Sequence, residues 1–227
     1  MSASFDDARH ELFLRGGDDV LNAAAASSHE PVVISIARDY GAEGHEVGKL
    51  LSERLGIPLY DNELLVRSAI RSGIDVDQIA SYDERAAHGP LAFLPDAMDQ
   101  STRGDRVFKA IRQVIIDLAS SQDCIVEGRL SDYILRGSPN LITVLVTAPL
   151  ECRVKIVGDK RGLKSHEALA LVRRMQHQRE RFYTRYSAGK WDLYMDKDLI
   201  VDRSVFGVEG CCDIIAAAYQ RKVRTVR

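Results

Sequence analysis

Short runs of apolar, mostly β-branched residues recur at wide intervals along this chain, and each has the length of one strand. They occupy residues 32–36, 57–60, 124–126, 141–146 and 199–201. The intervals between them carry apolar residues at helical spacing, as Val47, Leu51 and Leu55 do. Strands that alternate with helices pair in parallel, with helices on both faces of the sheet. The pattern therefore predicts an α/β fold built on a central five-stranded parallel sheet.

Two other stretches lie outside this alternation. Residues 1–30 mix charges, a glycine pair and an alanine run, and they predict an N-terminal extension outside the folded domain of residues 31–227, with one helix as an open alternative. Residues 72–105 are polar and contain Gly89, Pro90 and Pro95, which favour turns. We expect this second stretch to be an insert in the domain.

A basic stretch at residues 173–190 is the third departure from the pattern. It carries five arginines and one lysine against a single acidic residue, Glu180. Surface helices usually alternate charges of opposite sign, so this excess favours a local anion site. A solvated helix face is the alternative, and it is the commoner fate of such a run.

Composition limits the classes of partner. The 227 residues include 31 basic and 33 acidic side chains, so the formal net charge is only −2, which gives no global attraction to nucleic acid or to an anionic membrane. The small-apolar runs are far shorter than the roughly 20 residues of a membrane span. Four cysteines, spaced for neither zinc nor a disulfide framework, fit a reducing compartment. We expect a cytoplasmic protein without nucleic-acid or membrane partners.

The stretch 32–49 joins an apolar strand to a glycine-bearing turn and a helix. Phosphate-binding loops have this layout, with backbone N–H groups and the positive end of a helix facing a polyphosphate. Their usual pattern, G-x-x-x-x-G-K-[ST], adds a lysine for the outer phosphates and a hydroxyl for Mg²⁺. Gly44 stands in place of the lysine, followed by His45, and Glu46 replaces the hydroxyl residue. A glycine corner, in which Gly41 and Gly44 supply unusual backbone angles, is the alternative.

Charged side chains near this loop affect whether it can bind phosphate. Glu43 would repel a phosphate unless its carboxylate points outward or binds a cation. Arg38, His45 and Lys49 are the cations available to replace the lysine. A neutral imidazole binds phosphate less well, and its charge depends on pH near its ordinary pKa of about 6.5. The carboxylate of Glu46 is a suitable direct ligand for Mg²⁺, which prefers oxygen.

Charged residues also follow two other predicted strands. Asp61 ends one strand and would lie at the carboxyl edge of the sheet, where α/β proteins bind ligands, although a helix N-cap is an equally good role. Arg129 follows the strand at residues 124–126 and can fork two N–H groups onto a phosphate. A salt bridge between Arg129 and a neighbour such as Glu127 is the alternative.

Together these pieces resemble the cytidylate kinase-like proteins, a branch of the P-loop nucleoside monophosphate kinases. The resemblance covers about residues 32–217, and it rests on the order and spacing of motifs that are weak one by one. The motifs are Ile36-Ala37-Arg38-Asp39-Tyr40-Gly41 with Gly44 and Gly48-Lys49; Leu55-Gly56-Ile57-Pro58-Leu59-Tyr60-Asp61; Glu127-Gly128-Arg129 with Asp132-Tyr133-Ile134-Leu135; Ala148-Pro149-Leu150-Glu151 with Arg153; Arg179 with Tyr183, Tyr186, Gly189 and Trp191; and Asp198-Leu199 with Gly207, Glu209 and Gly210.

The resemblance implies a three-layer α/β/α P-loop kinase fold in which residues 72–105 form a monophosphate-binding insert and residues 173–190 an arginine-rich lid. It implies transfer of the γ-phosphoryl group of ATP, with Mg²⁺, to a nucleoside monophosphate such as CMP or dCMP, or to a related small acceptor. The partners would be small nucleotides. The oligomeric state stays open, with a homodimer among the options.

Roles for individual residues follow from the same resemblance. Asp61, Arg67, Gly128 and Arg129 occupy positions that hold the monophosphate in this family. The catalytic arginines would be Arg129 and, from the lid, Arg179, Arg181 and Arg185. ATP would be bound by the loop through Arg38, Gly41, Gly44, His45, Glu46 and Lys49, and near its adenine by Arg153. Glu46 is also the expected metal ligand.

This chain departs from the family pattern at several of these places. The kinase-like branch often places a glycine and then an arginine where Gly44 and His45 stand, and Leu130 replaces an aspartate of the classical enzymes. These departures keep a second function open. It is a nucleotide-binding or regulatory protein that has lost turnover on a kinase scaffold.

Overall fold

The sheet of this protein has the predicted strand number and direction. A computed structural model describes residues 30–71 and 102–225, and within these ranges five strands pair in parallel in the order β2-β3-β1-β4-β5. The strands are β1 (Val33–Arg38), β2 (Leu59–Tyr60), β3 (Cys124–Glu127), β4 (Leu141–Thr147) and β5 (Leu199–Asp202).

Strand β1 lies at the centre of the sheet and runs two residues further than its apolar pattern predicts. The pairing with β4 continues to Arg38, which lies opposite Val146. On the other side of β1, Ile36 lies opposite Glu127 at the end of β3. The carboxyl ends of β1 and β3 are therefore adjacent, and both deliver charged side chains to the same edge.

Helices cover both faces of the sheet, as predicted. They are α1 (Gly44–Leu55), α2 (Asn62–Arg71), α3 (Thr102–Ser121), α4 (Ser131–Ile134), α5 (Leu150–Arg161), α6 (Ser165–Tyr186) and α7 (Arg203–Thr225). Helices α1 and α7 share one apolar core with Ile34 and Ile36, while α2, α3 and the end of α6 share another with Val33 and Ala37. Successive residues of β1 thus enter opposite cores, which gives the three-layer α/β/α arrangement.

Some predicted boundaries differ from the observed ones. Helix α3 begins at Thr102, so the last residues of the predicted insert 72–105 form a helical turn. The remainder of that insert, like residues 1–29 of the predicted extension, lies outside the described residues. The predicted lid at 173–190 is continuous with α6 up to Tyr186, because buried Val172, Met175 and Phe182 keep one helical stripe against the protein.

None of the helices in the described ranges is long and apolar enough to cross a membrane. The four cysteines, Cys124, Cys152, Cys211 and Cys212, are free thiols. Three of them are buried and pack in the apolar cores, where a free cysteine acts as a small apolar side chain.

Candidate functional site

A cleft at the carboxyl edge of the sheet brings together charged side chains from three separate segments. The end of β1 contributes Arg38, the end of β3 contributes Glu127 and Arg129, and α6 contributes Arg179. Asn62 at the start of α2 also lines it, and Phe182, Tyr183 and Leu193 form an apolar wall. Three guanidinium groups therefore face one carboxylate in this cleft, which leaves an excess of positive charge for an anion.

The side chain of Arg38 reaches the cleft by passing over two glycines. A Cβ on Gly44 would lie 2.6 Å from the Cβ of Arg38, and a Cβ on Gly128 would overlap its Nη1. Gly44 is the first residue of α1 and has no positive φ, so close approach rather than backbone freedom requires glycine there. The loop glycines thus make room for an arginine from the preceding strand.

Glu127 is the buried carboxylate that organises these cations. Its side chain is 3% exposed, with Oε1 2.5 Å from Nη2 of Arg38 and Oε2 2.6 Å from Nδ1 of His45. Burial alone would raise the pKa of Glu127, but Arg38 and His45 outweigh it and lower the pKa to about 2. Glu127 is therefore ionised at neutral pH and fixes both cations at the mouth of the loop.

His45 consequently differs from the neutral imidazole considered from the sequence. The hydrogen bond with Glu127 raises its pKa above 6.5, opposed by burial and by the positive charge of Lys49 and supported by Asp61. This shift moves His45 toward its protonated form at any given pH. When protonated, His45 adds a positive charge against the carboxylate that Arg38 also binds, one residue after the position of the usual loop lysine.

Arg179 joins α6 to the first residues of the loop. Its Nη1 donates to the carbonyl of Arg38 at 2.7 Å, and its guanidinium carbon lies 5.3 Å from the ring centre of Tyr40. Desolvation and repulsion from Arg38 lower the pKa of Arg179 to about 9, although Glu127 acts in the opposite direction. The group remains charged at neutral pH, and a bound anion would relieve that electrostatic cost.

Arg129 reaches the cleft through an unusual backbone turn. Gly128, Arg129 and Leu130 all have left-handed angles, with φ of 72°, 53° and 58°. For the two residues with a side chain this conformation costs about 1 kcal/mol each. The turn is held where the N–H of Gly128 donates to the carbonyl of Ile36, and Arg129 lies 5.4 Å from the ring centre of Phe182.

Asp39 and Gln176 connect α6 to the loop, and neither was selected as a site residue from the sequence. Gln176 accepts from the N–H of Tyr40 and donates to Asp39, whose buried carboxylate also accepts from Thr147 and Tyr194. A polar residue directly after a buried strand was the available signal for Asp39. These contacts set the position of α6 and, with it, of Arg179.

Glu43 is turned away from the loop. Its carboxylate pairs with Lys160 at 2.8 Å and with Arg203, and both partners lie on other helices. The repulsion that its position in the sequence implied is removed by these two cations. Glu46 lies 3.5 Å from Lys160 with 47% of its side chain exposed, so its carboxylate is accessible but already near a cation.

Three further residues expected to bind ATP are Gly41, Arg153 and Lys49. A Cβ on Gly41 would lie 2.9 Å from the carbonyl oxygen of Arg153, so the loop packs closely on α5. Arg153 donates from Nε to the carbonyl of Ala148, and its buried Nη1 has no hydrogen-bond partner among the described residues. Lys49 is exposed on α1.

The other predicted site residues lie toward the outside of the cleft. Asp61 accepts from the N–H of Leu64 and so caps α2, the alternative role that the sequence allowed. Arg67 pairs with Glu63 at 2.5 Å on the same helix. On α6, Arg185 pairs with Asp105 at 3.0 Å, and Arg181 is exposed. The structure therefore brings Arg179, and not the whole lid set, to the cleft.

The model of the cytidylate kinase-like family matches residues 33–205, which include every element of this cleft. The chain belongs to this family. Among proteins of known name, it is 26% identical over 202 residues to a cytidylate kinase of Pyrobaculum aerophilum, covering 85% of this chain and 99% of that one. It is 24% identical over 197 residues to a cytidylate kinase of Archaeoglobus fulgidus, covering 83% and 95%.

Solved structures share the three-layer α/β/α fold of this protein. An uncharacterized protein from Eubacterium ventriosum superposes with a TM-score of 0.62 at 22% identity, covering 83% of this chain and 98% of that one. A gluconokinase from Sinorhizobium meliloti superposes with a TM-score of 0.50 at 14% identity, covering 87% and 96%. The fold predicted from the sequence is therefore confirmed.

Proposed function

We propose that this protein transfers the γ-phosphoryl group of ATP to a nucleoside monophosphate, with CMP or dCMP as the first candidates and a related small acceptor as the wider class. The observation that carries the proposal is the convergence of Arg38, Arg129 and Arg179 on one cleft that holds a single carboxylate, Glu127. Its relatives named cytidylate kinase support the nucleotide class, at low identity.

The arrangement suits the chemistry of phosphoryl transfer. The transition state is loose and spreads negative charge over the oxygens of the transferred phosphoryl group. Positioned cations therefore supply most of the stabilisation of the transition state. An attacking phosphate needs no general base, and the described residues offer no uncommitted buried base beside the three arginines. Glu127 is already bound to Arg38 and His45.

The loop residues fit the phosphates of ATP. Helix α1 begins at Gly44, so its first N–H groups lack intrahelical acceptors and face outward from the loop. Arg38 and His45 would supply the charge of the missing lysine, while Arg153 and Gly41 would lie on the adenine side. Arg129 with Gly128 would hold the acceptor phosphate, and Asp61 and Arg67 its outer rim.

Magnesium ion fits as a partner of the ATP phosphates. No group of three His, Cys, Asp or Glu side chains able to hold a metal occurs within residues 30–71 and 102–225. Mg²⁺ in kinases usually keeps water and binds phosphates with only one or two carboxylates, so such a group is not required. Glu46 is the proposed protein ligand, and Lys160 would have to release it. When bound, the ion would neutralise charge on the transferring group.

A coupled assay of ATP consumption across the nucleoside monophosphates tests the proposal. We expect turnover with CMP or dCMP that falls at least about 100-fold in Arg129→Ala, because a cation that meets the transferring phosphoryl group would be lost. The matched control is Arg174→Ala, an exposed arginine of α6, which should keep activity within about twofold. Equal loss in both variants would contradict the assignment of the cleft.

A second candidate is a nucleotide-binding protein without turnover. The observation in its favour is that Glu127 pairs with both Arg38 and His45, so that neither side chain is uncommitted. This version predicts that calorimetry detects nucleotide binding while no product forms at high protein concentration. Changing His45 to Arg separates the two: a gain of activity indicates a weakened kinase, whereas no activity in either protein favours the binding function.

A further inference from the structure

Asn62 stands out among the residues of the cleft because its side-chain carbonyl oxygen is unpaired within the described part of the chain. It is the first residue of α2 and lines the cleft together with Arg129 and Phe182. Its side-chain Oδ1 is buried and has no hydrogen-bond partner among the described residues. A buried amide oxygen without a partner destabilises the folded protein, so the position is unfavourable unless something else bonds to it.

The neighbours of Asn62 have structural roles of their own. Asp61 caps α2 through the N–H of Leu64, and Arg67 pairs with Glu63 on the outside of the helix. The cap fixes the first turn of α2 and therefore fixes the direction in which Asn62 enters the cleft. Asn62 is thus the residue of this segment that faces the cleft with an unused hydrogen-bonding group.

The position of Asn62 relative to charge indicates which part of a ligand it would meet. Three guanidinium groups line this cleft and would bind the anionic end of a ligand, where a neutral amide would add little. The cleft also has an apolar lining, formed by buried Phe182 and Leu193. An amide beside an apolar wall suits a ring or sugar that offers both a hydrogen-bond donor and an acceptor.

We propose that Asn62 is a specificity residue that hydrogen-bonds the nucleoside part of the acceptor, either a sugar hydroxyl or the polar edge of the base. The inference rests on the proposed function and deepens it, because it names the side chain that distinguishes one nucleoside monophosphate from another. A site built to bond a hydroxyl or amide rejects analogues that lack it, since its buried polar atom is then left unpaired.

The test is steady-state kinetics of Asn62→Leu, which keeps the volume and removes the amide. We expect the KM for the acceptor to rise about 10- to 100-fold, while kcat and the KM for ATP stay within about threefold. Asn140→Leu is the matched control: it removes another amide with a buried unpaired Oδ1, at the opposite edge of the sheet where the strand β4 begins. This control should leave the KM for the acceptor unchanged.

Pairs of acceptors separate the two sources of the contact. If Asn62 bonds the sugar, Asn62→Leu loses the discrimination between CMP and dCMP; if it bonds the base, it loses the discrimination between CMP and UMP. Asn62→Ala, which also removes the amide oxygen, gives the same information should the leucine variant fail to fold. A KM for the acceptor that stays unchanged in folded Asn62 variants overturns the inference.

Failure of the proposed function gives a different result. If the wild-type protein forms no product with any acceptor, phosphotransfer is wrong, and Asn62 is then tested by calorimetry with CMP and dCMP. Weaker binding in Asn62→Leu than in Asn140→Leu still supports the contact. Equal binding in the two variants, or no binding by the wild type, overturns it.

Discussion

Two sets of charged side chains that look alike in the sequence lie in different surroundings. The cleft set, made of Arg38, His45, Glu127 and Arg179, is largely enclosed and each member contacts another. The rim set, made of Arg67, Arg181 and Arg185, is exposed and either pairs with surface carboxylates or faces solvent. Exposed pairs contribute little, whereas enclosed charges interact strongly. Burial of the side chain, more than residue type, therefore separates a candidate catalytic arginine from a surface one.

The largest expected difference is between two arginines of α6. Arg179→Ala should lower kcat by about 1,000-fold, because an arginine that meets the transition-state charge is commonly worth that much. Arg185→Ala should lower it by less than about tenfold, since this side chain pairs with Asp105 on the surface. Single-turnover phosphotransfer measures both, and the ranking is wrong if Arg185→Ala is the more damaging change.

The next difference concerns stability and compares two carboxylates. Glu127→Gln should reduce the free energy of unfolding by about 3 kcal/mol, because it leaves Arg38 and His45 without their enclosed partner. Glu63→Gln removes the exposed partner of Arg67 and should change the free energy of unfolding by less than about 0.5 kcal/mol.

Urea unfolding at neutral pH measures both variants. The pKa of Glu127 is lowered to about 2 in the folded protein. Its contribution to stability is therefore present above the ordinary pKa of 4.5 and is lost as the pH falls toward 2. Equal destabilisation by the two substitutions would remove the distinction between cleft and rim.

Two glycines of α1 sharpen the comparison by a change of one methyl group. Gly44→Ala should cost activity up to about 100-fold, because its Cβ would lie 2.6 Å from the Cβ of Arg38 and displace that side chain. Gly48→Ala places its Cβ 3.4 Å from Leu59, an ordinary contact, and should keep activity and stabilise the helix slightly. Kinetics and thermal unfolding of both variants check this, and full activity in Gly44→Ala would show that Arg38 is not needed where it lies.

The smallest expected effect is the pH dependence due to His45. Its pKa in the folded protein is raised by Glu127, so the stabilisation is fully present below about pH 6.5 and is lost as the pH rises through the folded-state pKa. The wild type should therefore lose more stability than His45→Gln above about pH 6.5. Urea unfolding across this range tests it, and parallel curves for the two proteins would exclude an ion pair with Glu127.

Much of the fold follows from the sequence because it depends on local patterns. Runs such as 141–146 have the length and residue types of a buried strand, and strands alternating with helices allow few arrangements. Boundaries were less accurate where pairing with a neighbour extends a strand, as at Arg38. The residue pattern also placed Arg38, His45 and Arg129 among the candidates of the site, and the family resemblance added Arg179.

Partner choice within the site could not be predicted in the same way. Glu127 appeared in the sequence as a neighbour of Arg129, yet its recorded ion pairs are with Arg38 and His45, which lie 89 and 82 positions away in the chain. Glu43 appeared as an obstacle to phosphate and is instead held by Lys160 and Arg203. Such contacts depend on the register of β1 with β3 and on the packing of α5 and α7.

The sequence by itself determined the order of strands and helices, the family, and the cations near the loop, because each of these depends on the types and spacing of residues along the chain. Only the tertiary structure decided which charges are enclosed together, that His45 lies against Glu127, and that Asn62 enters the cleft while Arg67 does not. The physical reason is that the strength of a charge or hydrogen bond depends on burial and distance, and both arise only when distant segments pack.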